Sequence, residues 1–297
     1  MSDSSFVLVT GATGRQGGAT ARALLRAGTD VHALVRDPTS PRAQEIAAHG
    51  ATLVPGDLED PASLVAALDG ARGVFSMQMP DLADLMGDSE VRYAGNLAAA
   101  AQKAGVEQIV HTSVSGAGRR EPIDEERWGA HMGHYWRSKA AAEQAMRDAA
   151  TRYTTILRPS TFMENLLYPS FYFPDGRPDH LLVAMDPEVP QPFVALDDIG
   201  VAAAAAFADP ERFDGVELEL AGDLLTFRDA AAILSEVRGK PITLPADPSE
   251  AQAAGLRSEF VLSQQYASLH PAPARPEFAH ALAIPTTTFT DWAHATL

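Results

Sequence analysis

Short runs of β-branched and apolar residues alternate along the first half of the chain with longer alanine-rich stretches of helical character. Such a rhythm places strands in a parallel sheet covered by helices. The apolar runs predict strands at 6–10, 31–35, 52–55, 73–77, 107–112 and 153–157, and the stretches between them predict helices near 16–27, 40–49, 61–68, 85–105 and 133–150. Asp60 reads as a helix N-cap with Pro61 at the first helical position, where a missing N–H costs nothing. After Pro159 the alternation breaks down, prolines become common, and aromatics gather at Phe162, Tyr168, Phe171, Tyr172 and Phe173.

The strand ending at Thr10 runs into Gly11-Ala12-Thr13-Gly14-Arg15-Gln16-Gly17-Gly18 and then into the first helix. Helix N-terminal amides are unpaired donors with partial positive charge, and a glycine turn that delivers them suits a pyrophosphate. Gly11 permits the turn, Gly14 admits a ligand to the backbone, and Gly17 lets the helix approach the sheet. The strand before and the helix after are the context that gives this motif its meaning. The expected fold is therefore α/β, a doubly wound parallel-sheet Rossmann fold, with a second, smaller α/β substrate region. Residues 1–158 form the dinucleotide-binding domain and 159–297 the smaller region, with 193–220 free to return to the first. Within the second half we expect a strand at 193–196, a helix at 199–207, a strand at 216–220 and a helix at 228–238 capped by Thr226. Residues 241–244 are expected to be extended, and a last helix from Thr288 carries Phe289 and Trp292 on one face for core packing.

A chain of 297 residues holds one large or two modest domains. Its net charge of −16 repels phosphate backbones and anionic lipid, so neither direct nucleic-acid contact nor membrane binding is expected. The one basic cluster, Arg119-Arg120, is followed by Glu121, Asp124, Glu125 and Glu126. The absence of cysteine removes disulfides and thiolate chemistry. The first residues, Met1 to Ser5, are polar, no apolar run approaches membrane-spanning length, and a cytoplasmic location is the default expectation.

Which dinucleotide is held depends on the end of the second strand, where an acid suits the 2′-hydroxyl of NAD and a base the 2′-phosphate of NADP. Val31 to Val35 ends in Arg36, 25 positions beyond Gly11, and a guanidinium pairs with phosphate through parallel donors. Arg15 can add a second charge. Asp37, next in line, leaves an NAD role or a structural pairing with Arg36 open. NADP(H) is the expected cofactor. Asp57 and Leu58, after the third strand, are expected to flank the adenine.

Candidate chemistry sits in Tyr135-Trp136-Arg137-Ser138-Lys139, where Tyr135 and Lys139 are four apart on one helix face. A nearby ammonium stabilises a phenolate and makes the tyrosine a workable proton donor, and the same lysine can reach a ribose. Of 23 basic residues only Lys103, Lys139 and Lys240 are lysines, which suggests that those kept do what a guanidinium cannot. A plain packing role for the pair is the alternative. His131 and His134, one turn apart beside Tyr135, read better as polar helix-start residues than as metal ligands, and no metal is expected. Residues Gly116 to Met132 read either as a flap over the cofactor or as an ordinary surface loop. The aromatics at 162–173 either line an apolar pocket or join the two regions.

The chain resembles the NmrA-like branch of the atypical short-chain dehydrogenase/reductase superfamily. The resemblance rests on the glycine turn, Ala104-Gly105-Val106 before His111-Thr112-Ser113, and Ser138-Lys139 with Glu143. It extends to Leu157-Arg158-Pro159 leading to Phe162-Met163-Glu164-Asn165, and to Asp197-Asp198-Ile199-Gly200. The resemblance implies NADP(H) binding by the glycine turn (Gly11, Thr13, Gly14, Arg15, Gln16, Gly17), Arg36 and Lys139, with Pro159, Thr161 and Phe162 beside the nicotinamide. It implies either a reductase acting on quinones, double bonds or carbonyls, or a protein without turnover that reports NADP(H) balance to a protein partner. Tyr135, with Lys139, restores the superfamily Tyr-x-x-x-Lys pair and favours the reductase with a small-molecule substrate. The superfamily's catalytic serine position falls on Val114; Ser113, or Ser115, stands in if the register slips by one. A homodimer or a protein partner stays open.

Overall fold

The computed structural model describes residues 5–79, 81, 83–118 and 123–297. The first part of the chain runs β1 (Phe6–Val9), α1 (Arg15–Arg26), β2 (Val31–Val35), α2 (Pro41–Ala48), β3 (Thr52–Pro55), α3 (Pro61–Ala67), β4 (Ala71–Ser76), α4 (Ser89–Ala104) and β5 (Gln108–Thr112). The middle holds α5 (Glu125–Trp128), α6 (Ala130–Asp148), β6 (Tyr153–Pro159), β7 (Thr161–Phe162), a 3-10 turn at Met163–Leu166, and β8 (Gln191–Val194). The rest comprises α7 (Leu196–Ala208), α8 (Pro210–Phe213), β9 (Glu217–Leu220), β10 (Asp223–Leu225), α9 (Phe227–Arg238), α10 (Pro248–Ala253), α11 (Ser258–Leu269), α12 (Pro276–Ala281) and α13 (Phe289–Thr296). The described residues of 1–118, 135–158 and 196–218 form one compact unit, and those of 119–134, 159–195 and 219–297 a second.

The large sheet has the strand order β3-β2-β1-β4-β5-β6-β9. β1 pairs in parallel with both β2 and β4, and the parallel pairing continues through β2–β3, β4–β5 and β5–β6. Chain direction across the sheet reverses between β1 and β4, the switch point outside which doubly wound sheets open a crevice at their carboxyl ends. Side chains alternate along β1. Phe6 and Leu8 enter a core with Leu64, Leu68, Leu97, Ile109, Met146 and Ile156, contributed by α3, α4, α6 and neighbouring strands. α1 and α7 pack together so closely that a Cβ at Gly200 would stand 2.7 Å from the Ala19 carbonyl oxygen. A side chain there would force the two helices apart.

Local chemistry sets the element boundaries. The Asp60 carboxylate accepts from Ala62 N at 3.0 Å, with Pro61 opening α3, and Thr226 and Asp229 form a reciprocal capping box on α9. The helix expected from 85 starts only at Ser89. Before it, the Asp81 and Asp84 carboxylates accept from Ala83 N and Met86 N, and side-chain bonds of this kind compete with helix formation. The stretch 116–132, read as a flap or an ordinary surface loop, is in part helical. Residues 119–122, with the Arg119-Arg120 pair, lie outside the described residues, but beyond them Asp124 caps α5. Trp128 is buried there, edge-on to Tyr266 at 5.3 Å.

The second unit carries the antiparallel pair β8–β10 and the parallel pair β7–β8 in a three-stranded sheet. Its core gathers Tyr172, Phe173, Phe193, Phe227, Phe289 and Trp292. Phe289 and Trp292 therefore pack as their spacing indicates. Tyr172 and Phe173 belong to this unit's own core, a role neither expectation for the aromatic run had included, whereas Tyr168 and Phe171 are exposed.

Arg158, on β6, is 1% exposed. Its Nε donates to Glu143 Oε1 at 2.8 Å, and its Nη2 lies 2.6 Å from Glu143 Oε2 and 2.8 Å from Glu217 Oε2. Arg147 joins both carboxylates. Burial alone would favour a protonated Glu143; the hydrogen bonds and charge of Arg158 outweigh it and hold the carboxyl below the usual glutamate range. The motif residues Glu143 and Arg158 thus form one ionic structure. Arg158→Met leaves these carboxylates with Arg147 alone, and we expect a loss of about 3 kcal/mol in urea unfolding; an unchanged midpoint would contradict the network's role.

Candidate functional site

The turn after β1 is built on contacts that admit no side chain. Gly11 has φ +64°, in the left-handed region that glycine tolerates. Its carbonyl accepts from Gly14 N at 2.9 Å. A Cβ on Gly17 would lie 2.3 Å from the Gly11 carbonyl oxygen and 2.7 Å from that of Thr10, both backbone atoms that cannot swing aside. The first turn of α1 is thereby pressed against the loop. That helix begins at Gly14 without a side-chain cap and without an acidic residue in its first turn, which leaves its opening amides and positive end to an anion. A pyrophosphate fits this donor set.

Thr10, which sequence reading took only as a strand end, fastens the turn to β4. Its buried hydroxyl lies 3.1 Å from the Phe75 carbonyl and 3.0 Å from that of Met77, and it accepts from Met77 N at 2.8 Å. Gln16 donates its side-chain amide to Thr112 Oγ1 at the end of β5, so it braces the turn from the other side. Thr13 is half-buried, and Gly14 and Arg15 are exposed.

Arg36 follows β2 directly and is exposed; among the described residues no carboxylate pairs with it. Asp37 is committed elsewhere. Its Oδ1 accepts from Thr39 N at 2.8 Å and Thr39 Oγ1 at 2.6 Å, bonds that hold its carboxyl below the usual range. Asp37 makes no ion pair with Arg36 among the described residues, and Thr39 engages Oδ1 alone, so the exposed Oδ2 of Asp37 still faces solvent. Asp57 accepts from Glu59 N at 3.0 Å, and the Leu58 carbonyl accepts from Asn96 Nδ2 at 2.8 Å.

Tyr135 and Lys139 share a face of α6, with Lys139 Nζ 5.5 Å from the tyrosine ring centroid. Tyr135 is half-buried, edge-on to Trp136. Lys139 is buried and donates to Oε1 of Glu90, a buried carboxylate in the first turn of α4. Burial penalises the ammonium, but electrostatic attraction from Tyr135, Glu90 and Glu143 outweighs it, and the Lys139 pKa is raised above the ordinary lysine range. His111 lies close by with its Nδ1 3.0 Å from Ser76 Oγ. Burial, and then the Lys139 charge, push its pKa down to about 4, so it is neutral at physiological pH. The hydroxyl of Ser113 is turned toward Glu143 without meeting hydrogen-bond geometry, Val114 is half-buried, and Ser115 is buried.

The structure thus brings the glycine turn, the end of β5 and the Tyr135/Lys139 face of α6 into one unit. Pro159, Thr161 and Phe162 belong to the second unit, where Thr161 and Phe162 pair with Phe193 and Val194. His131 and His134 lie there too, and among the described residues no group of three or more histidine or acidic side chains could hold a metal. No described helix is long and apolar enough to cross a membrane.

The sheet order and the glycine turn define a Rossmann-type α/β protein. A model of the NmrA-like family matches residues 3–269, and the chain belongs to that family. It is similar to an NAD(P)H azoreductase of Xenophilus azovorans, 28% identical over 247 residues, which is 80% of this chain and 75% of the relative. A solved structure of an NADPH-dependent quinone oxidoreductase from Escherichia coli, complexed with NADPH, superposes with a TM-score of 0.74 at 22% identity, covering 98% of this chain and 99% of the other. The structure of NmrA, a negative transcriptional regulator, in complex with NADP gives a TM-score of 0.75 at 20% identity, covering 99% and 95%. At these identities the two structures establish the shared fold.

The Gly17 contact has a direct test. Gly17→Ala should destabilise the protein by about 1–3 kcal/mol, read from its thermal unfolding, because backbone must move to admit the methyl. A wild-type melting temperature would contradict the packing.

Proposed function

We propose that the protein is an NADP(H)-dependent reductase that delivers hydride to a small electrophile: a quinone, enone, carbonyl or imine. The observation that carries this reading is the Tyr135/Lys139 face of α6 in the same unit as the glycine turn, with Gln16 bonded to Thr112 between them. The names of the azoreductase and quinone oxidoreductase relatives support the reaction class.

When bound, the nicotinamide cofactor supplies the hydride. In this reading the turn at Gly11, Thr13, Gly14 and Gly17 and the first turn of α1 receive the pyrophosphate, Gly14 admitting it to the backbone while its own amide closes the turn, and Gln16 keeps that turn in place. Arg36, with Arg15, meets the 2′-phosphate, and one oxygen of the neighbouring Asp37 is taken up by Thr39. Asp57 and Leu58 border the adenine, Lys139 orients the ribose, and Pro159, Thr161 and Phe162 border the nicotinamide. Tyr135 gives its phenolic proton to the acceptor's oxygen, or to the nitrogen of an imine, as hydride reaches carbon, and the ammonium beside it stabilises the phenolate that remains. Ser113 is the candidate for polarising that oxygen, though Glu143 draws its hydroxyl away.

That last feature, with Val114 at the superfamily's serine position, favours a second reading: a protein that binds NADP(H) without turnover and signals through a protein partner. Oxidation of NADPH by the wild type and by Tyr135→Phe against quinones, enones, aldehydes, ketones and imines separates the two. We expect turnover on at least one acceptor class, with kcat falling roughly 100- to 10,000-fold in Tyr135→Phe while NADPH affinity holds. Full turnover in Tyr135→Phe would remove Tyr135 as the acid, and tight NADPH binding without turnover on any acceptor would replace the reductase with the sensor.

A further inference from the structure

Glu90 occupies no motif, yet it is among the few buried acids of the chain, 4% exposed. Lys139 donates to its Oε1. Its Oε2 is equally buried and accepts no hydrogen bond among the described residues. A carboxylate held so far from water needs a counter-charge, and among the described residues Lys139 is the one in contact.

We propose that Glu90 is the positioning and charge-balancing residue of the candidate site: it fixes Lys139 Nζ at the foot of Tyr135 and cancels the ammonium's charge, so that Tyr135 rests as a neutral phenol ready to donate. This rests on the reductase reading and deepens it. A lysine alone beside a tyrosine drives it toward phenolate, a proton acceptor suited to oxidation. A lysine already paired with a carboxylate pulls far less on the phenol, and the resting form is the acid that a reduction consumes.

The other groups facing Lys139 do not take over this duty. Glu143, on the same helix, is committed to Arg158 and Arg147. His111, from β5, is neutral, with its Nδ1 on Ser76. Tyr135 itself is the remaining neighbour on α6. Glu90 is therefore the carboxylate that Lys139 contacts directly. Although the Glu143 charge also reaches Lys139, no hydrogen bond joins Glu90–Lys139 to the Glu143–Arg158–Glu217–Arg147 set among the described residues, so Glu90 can be altered with the bonds of that set in place.

The test follows the titration of Tyr135 by NMR of full-length protein carrying ζ-carbon-labelled tyrosine, with Tyr135→Phe identifying the resonance. Glu90→Gln removes the charge and keeps the shape, and Glu90→Met does so with an apolar chain of similar length should the first not fold. We expect the Tyr135 midpoint to fall by about one pH unit in either variant, giving about tenfold more phenolate at a given pH. A midpoint at or above the wild-type value in a folded variant would overturn the proposal. The readout requires neither cofactor nor acceptor, so a protein without turnover would sink the reductase reading while leaving the Glu90 result to stand or fall separately. Where turnover is present, the pH profile of kcat in Glu90→Gln should move to lower pH with KM for the acceptor little changed, a pattern that mere loss of stability does not produce.

Discussion

The close approach of Gly17 to the carbonyls of Gly11 and Thr10 is the constraint on which the rest of the unit depends. It sets the first turn of α1 directly against the end of β1, at the point where the sheet reverses direction. From that contact follow the exposure of the helix amides, the anchoring of Thr10 to β4 and the reach of Gln16 to Thr112. A looser turn would carry the same residues without aiming them. The loop is specified by what is missing at one position, which is why a single methyl group is expected to matter there.

Charge is placed with comparable economy. Two buried ion-pair systems lie along α6, and they do different work. Glu143, Arg158, Arg147 and Glu217 tie α6 to β6 and β9, and removal of one member of such a set leaves a buried charge uncompensated. Glu90 and Lys139 tie α6 to α4 and sit where Tyr135 feels them. Ser113 faces Glu143 without a hydrogen bond to it.

Much of the first unit was legible because its signals are local. Strands at 31–35 and 52–55, the cap at Asp60 and the glycine turn each follow from neighbouring residues, as does the cap at Thr226 in the second unit. Arg36 could be read from its place at a strand end, but the fate of Asp37 depended on a hydroxyl two residues on. Glu90 could not be read at all: at the start of a helix it looks like an ordinary acid complementing the helix dipole, and its partner lies 49 positions away. Arg158 was visible as a motif residue, whereas its role required Glu143 and Glu217, from other elements, to converge on it. In the second unit β7 and β10 are too short to show alternation, and the apolar residues of α11, Phe260, Val261, Leu262, Tyr266 and Leu269, do not keep to one face.

The central claim, that the Gly11–Gly17 turn and Arg36 together hold a 2′-phosphorylated dinucleotide, is tested most directly by calorimetric titration of the wild type and Arg36→Asp with NADPH and with NADH. Tight binding of NADPH by the wild type is expected, with a loss of at least about tenfold in Arg36→Asp, as for removal of a charge-assisted phosphate contact, and little change for NADH. Equal losses for both nucleotides, or no binding of either by the wild type, would contradict it.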